Sequence, residues 1–193
     1  RFAEDIELRA QFAEKNEVII THISNFRKVK RMDDVIRIFE GVQKQLSAKL
    51  LMVGDGPELH QAKNLTRELG ISEKVFFLGK SKRIEQITSI SDVFLLPSEK
   101  ESFGLVALEA MASGVAVVSS NVGGLAEVNK DGVTGFLNDV GDIEGMIASV
   151  LTILKDKDTL ARFKTNALEH SQKFELNKIV PVYENLYLSL VKH

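Results

Sequence analysis

The chain of 193 residues contains no cysteine and no tryptophan, and it has only three prolines. The absence of cysteine excludes disulfides, thiol catalysis and thiolate metal sites in this sequence, and it favours a reducing compartment, which we expect to be the cytoplasm. Because the sequence has no apolar run of 18 residues, no signal peptide and no low-complexity tract, we expect no membrane partner. A net charge of −2 gives no general reason to expect nucleic acid as a partner.

What the sequence does contain is a series of short apolar runs separated by segments of helical periodicity. With 44% hydrophobic and 27% charged residues, it has the composition of one folded domain. Because the apolar runs are continuous rather than alternating, they predict parallel strands buried on both faces, and thus a doubly wound, Rossmann-like α/β domain ending in helices. The predicted strands are Val18–Ile23, Leu50–Val53, Val75–Leu78, Val93–Leu96, Val115–Val118 and Gly135–Leu137.

The remaining pattern defines the expected domain organisation. Residues 1–14 mix charges with scattered apolar side chains, and we interpret this leading segment as an interdomain linker or a short helix entering the domain. Residues 15–175 form the predicted Rossmann-like domain, and residues 176–193 form a terminal helix. The predicted helices are Asp33–Leu46, Pro57–Leu69, Ile143–Leu154, Thr159–Ser171 and Lys178–Val191.

Two glutamates bracket a glycine soon after the fourth predicted strand. Glu101 and Glu109 flank Gly104, where a helix is expected to begin. Backbone N–H groups at Phe103, Gly104 and Leu105 would lack partners within the helix, and the helix dipole would favour an anion there. A phosphate held by N–H groups and a sugar held by carboxylates describe a nucleotide sugar. From spacing alone, two solvated glutamates on an ordinary helix are an equally good interpretation.

Longer stretches of the sequence match a family pattern. In their order, and with the E-x7-E spacing of the two glutamates, they resemble the retaining glycosyltransferases of family 4 over residues 18 to about 142. The resemblance implies the GT-B fold, of which this chain would be the C-terminal, donor-binding half. Residues 15–175 would then bind the nucleotide sugar, and the terminal helix, residues 176–193, would cross toward an absent N-terminal domain. The matching segments are Val53–Leu59, Val75–Gly79, Glu101–Val118, Val122–Val128 and Asp131–Phe136.

Two further segments, His22–Arg31 and Ser98–Gly104, resemble one branch of that family. Members of this branch transfer N-acetylglucosamine from UDP-N-acetylglucosamine (UDP-GlcNAc) to L-malate at the start of bacillithiol biosynthesis. The resemblance therefore implies a UDP-sugar as donor and L-malate as acceptor.

The resemblance also implies roles for basic residues after the first strand. Lys30 corresponds to the family's lysine that contacts the donor diphosphate, which makes it a catalytic electrostatic group. Asn25 stands where the family usually has arginine, and Arg31 where it usually has glycine, so the diphosphate site departs from the pattern. Arg27 would supply part of the missing charge, and the sequence leaves open whether Arg27 or Arg31 reaches the phosphates.

Other roles follow from the same resemblance. Glu101 would contact the donor sugar at the catalytic centre, and Glu109 would accept hydrogen bonds from the ribose hydroxyls. The base would lie near Lys80 and Ser81 and contact mainly their backbone. Neither glutamate is expected to be a nucleophile, because the implied mechanism is retaining front-face substitution.

No cofactor and no metal ion are expected. Metal-dependent glycosyltransferases hold a cation with an Asp-x-Asp pair, but Asp156–Asp158 lies between two predicted helices, and we interpret it as a helix-capping turn. The segment Gly54–Gly56 begins like a dinucleotide fingerprint but lacks its third glycine, so NAD is not expected. His22 lies within a predicted strand and is interpreted as a core or supporting histidine.

The predicted function is donor binding in a retaining, metal-independent glycosyltransferase. The isolated chain is predicted to be inactive, because the acceptor site would belong to an N-terminal domain. That domain is the expected partner of this chain. Whether the full-length enzyme forms a homo-oligomer is left open. Three alternatives remain: a family member with another donor or acceptor, a binding module, and a sugar-nucleotide epimerase of the same layout. The spacing of Glu101 and Glu109 argues against the epimerase.

Overall fold

The computed structural model describes residues 5–191, and within them one parallel sheet forms the centre of the domain. Each predicted strand is confirmed, with bounds that differ by at most two residues. The strands are β1 Val18–Ile23, β2 Ala48–Val53, β3 Val75–Gly79, β4 Val93–Leu96, β5 Ala116–Ser120 and β6 Gly135–Asn138. Their order across the sheet is β3-β2-β1-β4-β5-β6.

Helices connect the strands, as parallel strands require. The predicted helices are confirmed with small shifts of their ends, whereas α4 and α6 were not predicted, because six and four residues are too few to show a helical period. Short 3-10 turns lie at Lys28–Lys30, Ser72–Lys74 and Gln172–Phe174. The described helices are α1 Ile6–Ala10, α2 Met32–Gln43, α3 Leu59–Glu68, α4 Ile84–Ser89, α5 Leu105–Ala112, α6 Leu125–Val128, α7 Ile143–Leu154, α8 Lys157–Ser171 and α9 Leu176–Val191.

The sheet separates two hydrophobic layers. Successive residues of a strand point to opposite faces, so Leu50 joins the layer covered by α2, α3 and α7, while Leu51 joins the layer covered by α4 and α5. Both leucines are fully buried. This burial on both faces explains the continuous apolar strands and confirms the doubly wound α/β fold.

The leading segment packs on the domain. In α1, the Arg9 guanidinium donates to the Asp92 carboxylate at 2.8 Å and to the Glu17 carbonyl at 2.8 Å. Phe12 lies edge-on against Phe76 with ring centroids 5.3 Å apart. Residues 5–14 are therefore attached to the domain, and helix α1 confirms the alternative of a short entering helix, whereas residues 1–4 lie outside the described residues.

The terminal helix α9 exposes apolar side chains. Tyr183, Leu186 and Leu190 recur at helical spacing, and each is more than half exposed. Residues 192 and 193 of the predicted terminal segment lie outside the described residues. Between residues 5 and 191, no helix combines the length and the apolar character needed to cross a membrane.

Candidate functional site

The candidate site lies at the carboxyl ends of β1 and β4. These two strands are neighbours in the sheet, although two other strands separate them in sequence. From β1, the sheet extends to one side through β2 and then β3, and to the other side through β4, β5 and then β6. Such a reversal separates the loops at the strand ends and opens a crevice where ligands bind in open α/β sheets.

Lys30 and Glu101 meet in this crevice. The 3-10 turn after β1 carries Lys30, the loop after β4 carries Glu101, and their charged groups form an ion pair. Ser98 donates to the same Glu101 oxygen at 3.1 Å. The side chains of the pair are only 16% and 10% exposed, so each charge is largely removed from water and needs a partner. The Glu101 carboxylate is therefore the counter-charge of the lysine that the sequence assigns to a diphosphate.

The N-terminus of α5 faces the same crevice. No side chain caps this helix, and Gly104 at its start has a φ of +85°, a left-handed conformation that glycine adopts easily. The first N–H groups of a helix have no intrahelical acceptor, and here they are joined by the positive end of the helix dipole. Phe103, Gly104 and Leu105 therefore lie where the sequence predicted an anion site.

A second glycine loop supports this N-terminus. A Cβ atom on Gly123 would lie 1.8 Å from the Glu101 carbonyl oxygen, so a larger residue cannot occupy this position without moving the loop. The N–H of Gly124 donates to the Ser102 carbonyl at 3.1 Å. The loop after β5 therefore holds the segment that carries Glu101, which gives Gly123 and Gly124 a positioning function.

The cavity at this site has a volume of about 320 Å³. Among the predicted site residues, it brings together Asn25, Lys30, Glu101, Phe103, Gly104 and Leu105. Its other lining residues are Ile23, Ser24, Ser102 and Val106.

Four predicted site residues lie outside this cavity. Glu109 is exposed on α5, one turn beyond Leu105 and on the same side of the helix. Arg27 is exposed in the loop after β1, while Lys80 and Ser81 follow β3, two strands from β1. Their contacts with a nucleotide stay predictions.

Arg31 does not line the cavity. Its Nε donates to the Asp34 carboxylate at 2.5 Å, which fixes the guanidinium beside the start of α2. Its backbone has a φ of +52°, and among the described residues it is the one non-glycine with positive φ. This left-handed position explains why the family usually has glycine there. The sequence left open whether Arg27 or Arg31 contacts the phosphates. In the structure, the Arg31 guanidinium is held by Asp34 of the adjoining helix α2.

His22 lies beneath the cavity. Its ring is fully buried, with Nδ1 2.8 Å from the Leu95 carbonyl oxygen and Nε2 2.8 Å from Ser24 Oγ. Burial, with a smaller contribution from the charge of Lys30, lowers the pKa of His22 to about 4, although the hydrogen bond to Leu95 opposes this shift. The interpretation of His22 as a buried, supporting histidine is confirmed, whereas Ser24 was not singled out from the sequence.

The Asp-x-Asp segment has a structural role. Asp156 is the N-cap of α8, and its carboxylate accepts from the Thr159 N–H at 2.7 Å. The interpretation of a capping turn is confirmed. In residues 5–191, no group of three or more histidine, aspartate or glutamate side chains is arranged to hold a metal ion.

Comparison with known proteins agrees with this geometry. Residues 4–170 match the family described as Glycosyl transferases group 1, and the chain belongs to that family. It is 44% identical to N-acetyl-alpha-D-glucosaminyl L-malate synthase of Bacillus anthracis over 92% of this chain and 47% of the relative. It is 33% identical to D-inositol 3-phosphate glycosyltransferase of Nocardia farcinica over 82% of this chain and 37% of the relative. The chain thus spans less than half of these curated relatives.

Solved structures show the same fold. Anabaena HepE, crystallised in complex with UDP and glucose, superposes with a TM-score of 0.83 at 27% identity, over 97% of this chain and 52% of that one. Sucrose-phosphate synthase from Thermosynechococcus elongatus superposes with a TM-score of 0.85 at 27% identity, over 99% of this chain and 50% of that one. The fold is the Rossmann-like domain of the GT-B glycosyltransferases, as the sequence resemblance implied.

Proposed function

We propose that the chain is the donor-binding half of a retaining, metal-independent glycosyltransferase that transfers N-acetylglucosamine from UDP-GlcNAc to L-malate. The observation that carries this proposal is the Lys30–Glu101 pair beside the N-terminus of α5. A cation and a helix N-terminus suit a diphosphate, while a carboxylate in the same cavity suits a sugar hydroxyl. The activity, donor and acceptor rest on this site together with the similarity to longer relatives.

The residues of this half would act by electrostatics and positioning. In transfer with retention, the bond between the anomeric carbon and the diphosphate oxygen breaks, and the acceptor oxygen bonds to the same face of that carbon. The acceptor's proton passes to the leaving diphosphate. Lys30 and the α5 N–H groups would stabilise the charge that grows on the diphosphate, and Glu101 would hold the sugar.

The choice of donor and acceptor is supported by the relatives. Anabaena HepE was crystallised with UDP and glucose and with UDP-glucose, and the Bacillus anthracis relative is named for GlcNAc and L-malate. The proposed partners are a UDP-sugar and an N-terminal domain of the same enzyme. We further propose that the enzyme acts in the cytoplasm, in bacillithiol biosynthesis.

The chain should bind UDP equally well with EDTA and with Mg²⁺, and more tightly than GDP or ADP. Metal should make no difference because Lys30 and the α5 N-terminus supply the positive charge that a metal would otherwise provide. Isothermal titration with the three nucleotides measures this. Lys30→Met should weaken UDP binding, while Lys44→Met, which removes an exposed lysine from the end of α2, should not. Binding that appears only with Mg²⁺ would rule out a metal-free site.

The two glutamates should differ in their effects on binding. Glu109→Ala should weaken UDP binding by about 1–3 kcal/mol, because a charged acceptor for the ribose hydroxyls is lost. Glu101→Ala should not weaken UDP binding, because the lost carboxylate is the counter-charge of Lys30, and it should weaken binding of UDP-GlcNAc, because the carboxylate would contact the sugar. Titrations of both variants with both ligands test this division, which equal losses for UDP would refute.

A further inference from the structure

A buried hydrogen-bond chain connects the sheet to the cavity. The β1–β4 ladder pairs Ile20 with Val93 and Thr21 with Phe94. At the next position along β4, the Leu95 carbonyl oxygen lies 2.8 Å from His22 Nδ1, and the other ring nitrogen of His22 lies 2.8 Å from Ser24 Oγ. The imidazole thus reaches from the end of the ladder to a residue that lines the cavity.

The partners determine the direction of each hydrogen bond. A carbonyl oxygen can only accept, so His22 Nδ1 carries a proton and donates to Leu95. A neutral imidazole has one N–H, so Nε2 is then an acceptor. It follows that the Ser24 hydroxyl donates to Nε2 and has no proton left for the cavity. The lowered pKa of His22 keeps the ring neutral at neutral pH.

The backbone holds Ser24 in place. Its N–H donates to the Val53 carbonyl at 3.1 Å. On the opposite side, a Cβ atom on Gly54 would lie 1.8 Å from the Ser24 carbonyl oxygen, a close approach that only glycine permits. The backbone of Ser24 is therefore held by β2 and the loop that follows it. His22 determines where the Ser24 hydroxyl proton points.

We propose that Ser24 is a specificity residue for the donor sugar, accepting a hydrogen bond from a sugar hydroxyl or amide N–H, and that His22 is its positioning residue. This inference rests on the proposed function. A hydroxyl oxygen whose proton is already donated repels a phosphate oxygen, but it can accept a hydrogen bond from a ligand. Next to its own oxygen, Ser24 would therefore favour the sugar over the diphosphate. The diphosphate would take Lys30, which lines the same cavity.

The test is equilibrium titration of the 193-residue chain and its variants with UDP and with UDP-GlcNAc. Ser24→Ala should leave the Kd for UDP within about twofold and raise that for UDP-GlcNAc about fivefold, the size of one neutral hydrogen bond. Ser24→Thr, which keeps the hydroxyl, should bind both ligands more like the parent chain. Equal changes for both ligands, or no change for either, would overturn the inference.

His22 variants separate positioning from a merely structural effect. His22→Phe removes the acceptor for the Ser24 proton, so UDP-GlcNAc should again weaken selectively, by a similar factor. His22→Gln offers an amide oxygen and an amide N–H and should restore part of the selectivity, while thermal unfolding and UDP affinity report whether each variant is folded. Selectivity unchanged in folded His22→Phe would overturn the positioning role. The proposed function has a separate test: it fails if the parent chain itself does not bind UDP. A negative result for the Ser24 and His22 variants, by contrast, overturns only the inference made here.

Discussion

The 193-residue chain alone should transfer no measurable N-acetylglucosamine from UDP-GlcNAc to L-malate, whereas a polypeptide that also contains the N-terminal half of its relatives should transfer it. The chain spans 47% of the malate synthase relative, and our proposal assigns the lysine and the carboxylate of the described cavity to the donor. Without a second domain, no acceptor oxygen is held at the anomeric carbon, so the advantage of proximity is lost.

The exposed face of α9 supports the same expectation. Among the described side chains of this helix, six apolar ones are at least 44% exposed, which leaves apolar surface along the helix. We propose that the N-terminal domain proposed above covers part of this surface. The exposed residues are Val180, Tyr183, Leu186, Tyr187, Leu188 and Leu190.

The assay follows labelled N-acetylglucosamine from UDP-GlcNAc into the malate product. UDP binding by the isolated chain provides the control for correct folding, so inactivity cannot be attributed to misfolding. In the joined polypeptide, Lys30→Met should abolish transfer, because that variant removes the diphosphate contact proposed here. Transfer of N-acetylglucosamine to malate by the isolated chain would refute both the location of the acceptor site and the description of this chain as half of an enzyme.

The strands could be predicted because each is a continuous apolar run. Val18–Ile23 and Val93–Leu96 were predicted with their observed bounds, since burial on both faces allows few polar residues within them. Ile84–Ser89 was not predicted as a helix, because its six residues give less than two turns of periodicity.

The site could be predicted only in part. The resemblance assigned Lys30 and Glu101 to one ligand, but their direct pairing depends on β1 and β4 being neighbours, and sequence order does not give that arrangement. Arg31 carried a usable signal, because it stands where the family usually has glycine, and its φ of +52° supplies the reason. The His22–Ser24 bond depends on where the β1–β4 ladder ends, which no residue pattern records.

Acidification should destabilise the chain through His22. The folded chain keeps this ring neutral down to a pKa of about 4, against an ordinary value of 6.5. Between these values the unfolded chain binds a proton that the folded chain does not, so stability present above pH 6.5 is lost as the pH falls toward 4. At about 1.4 kcal/mol for each pKa unit, the loss is about 3 kcal/mol.

Urea unfolding between pH 7.5 and 4.5 measures this loss. His22→Gln cannot titrate in this range, so its free energy of unfolding should fall less with pH than that of the parent chain. Carboxylates with lowered pKa values, such as Glu17, are present in both proteins and cancel in the comparison. His60→Gln, which removes an exposed histidine from α3, is the matched control for loss of a histidine. Parallel pH curves for His22→Gln and the parent chain would mean that the imidazole is not held neutral by burial, and the donor–acceptor direction assigned to Ser24 would lose its physical basis.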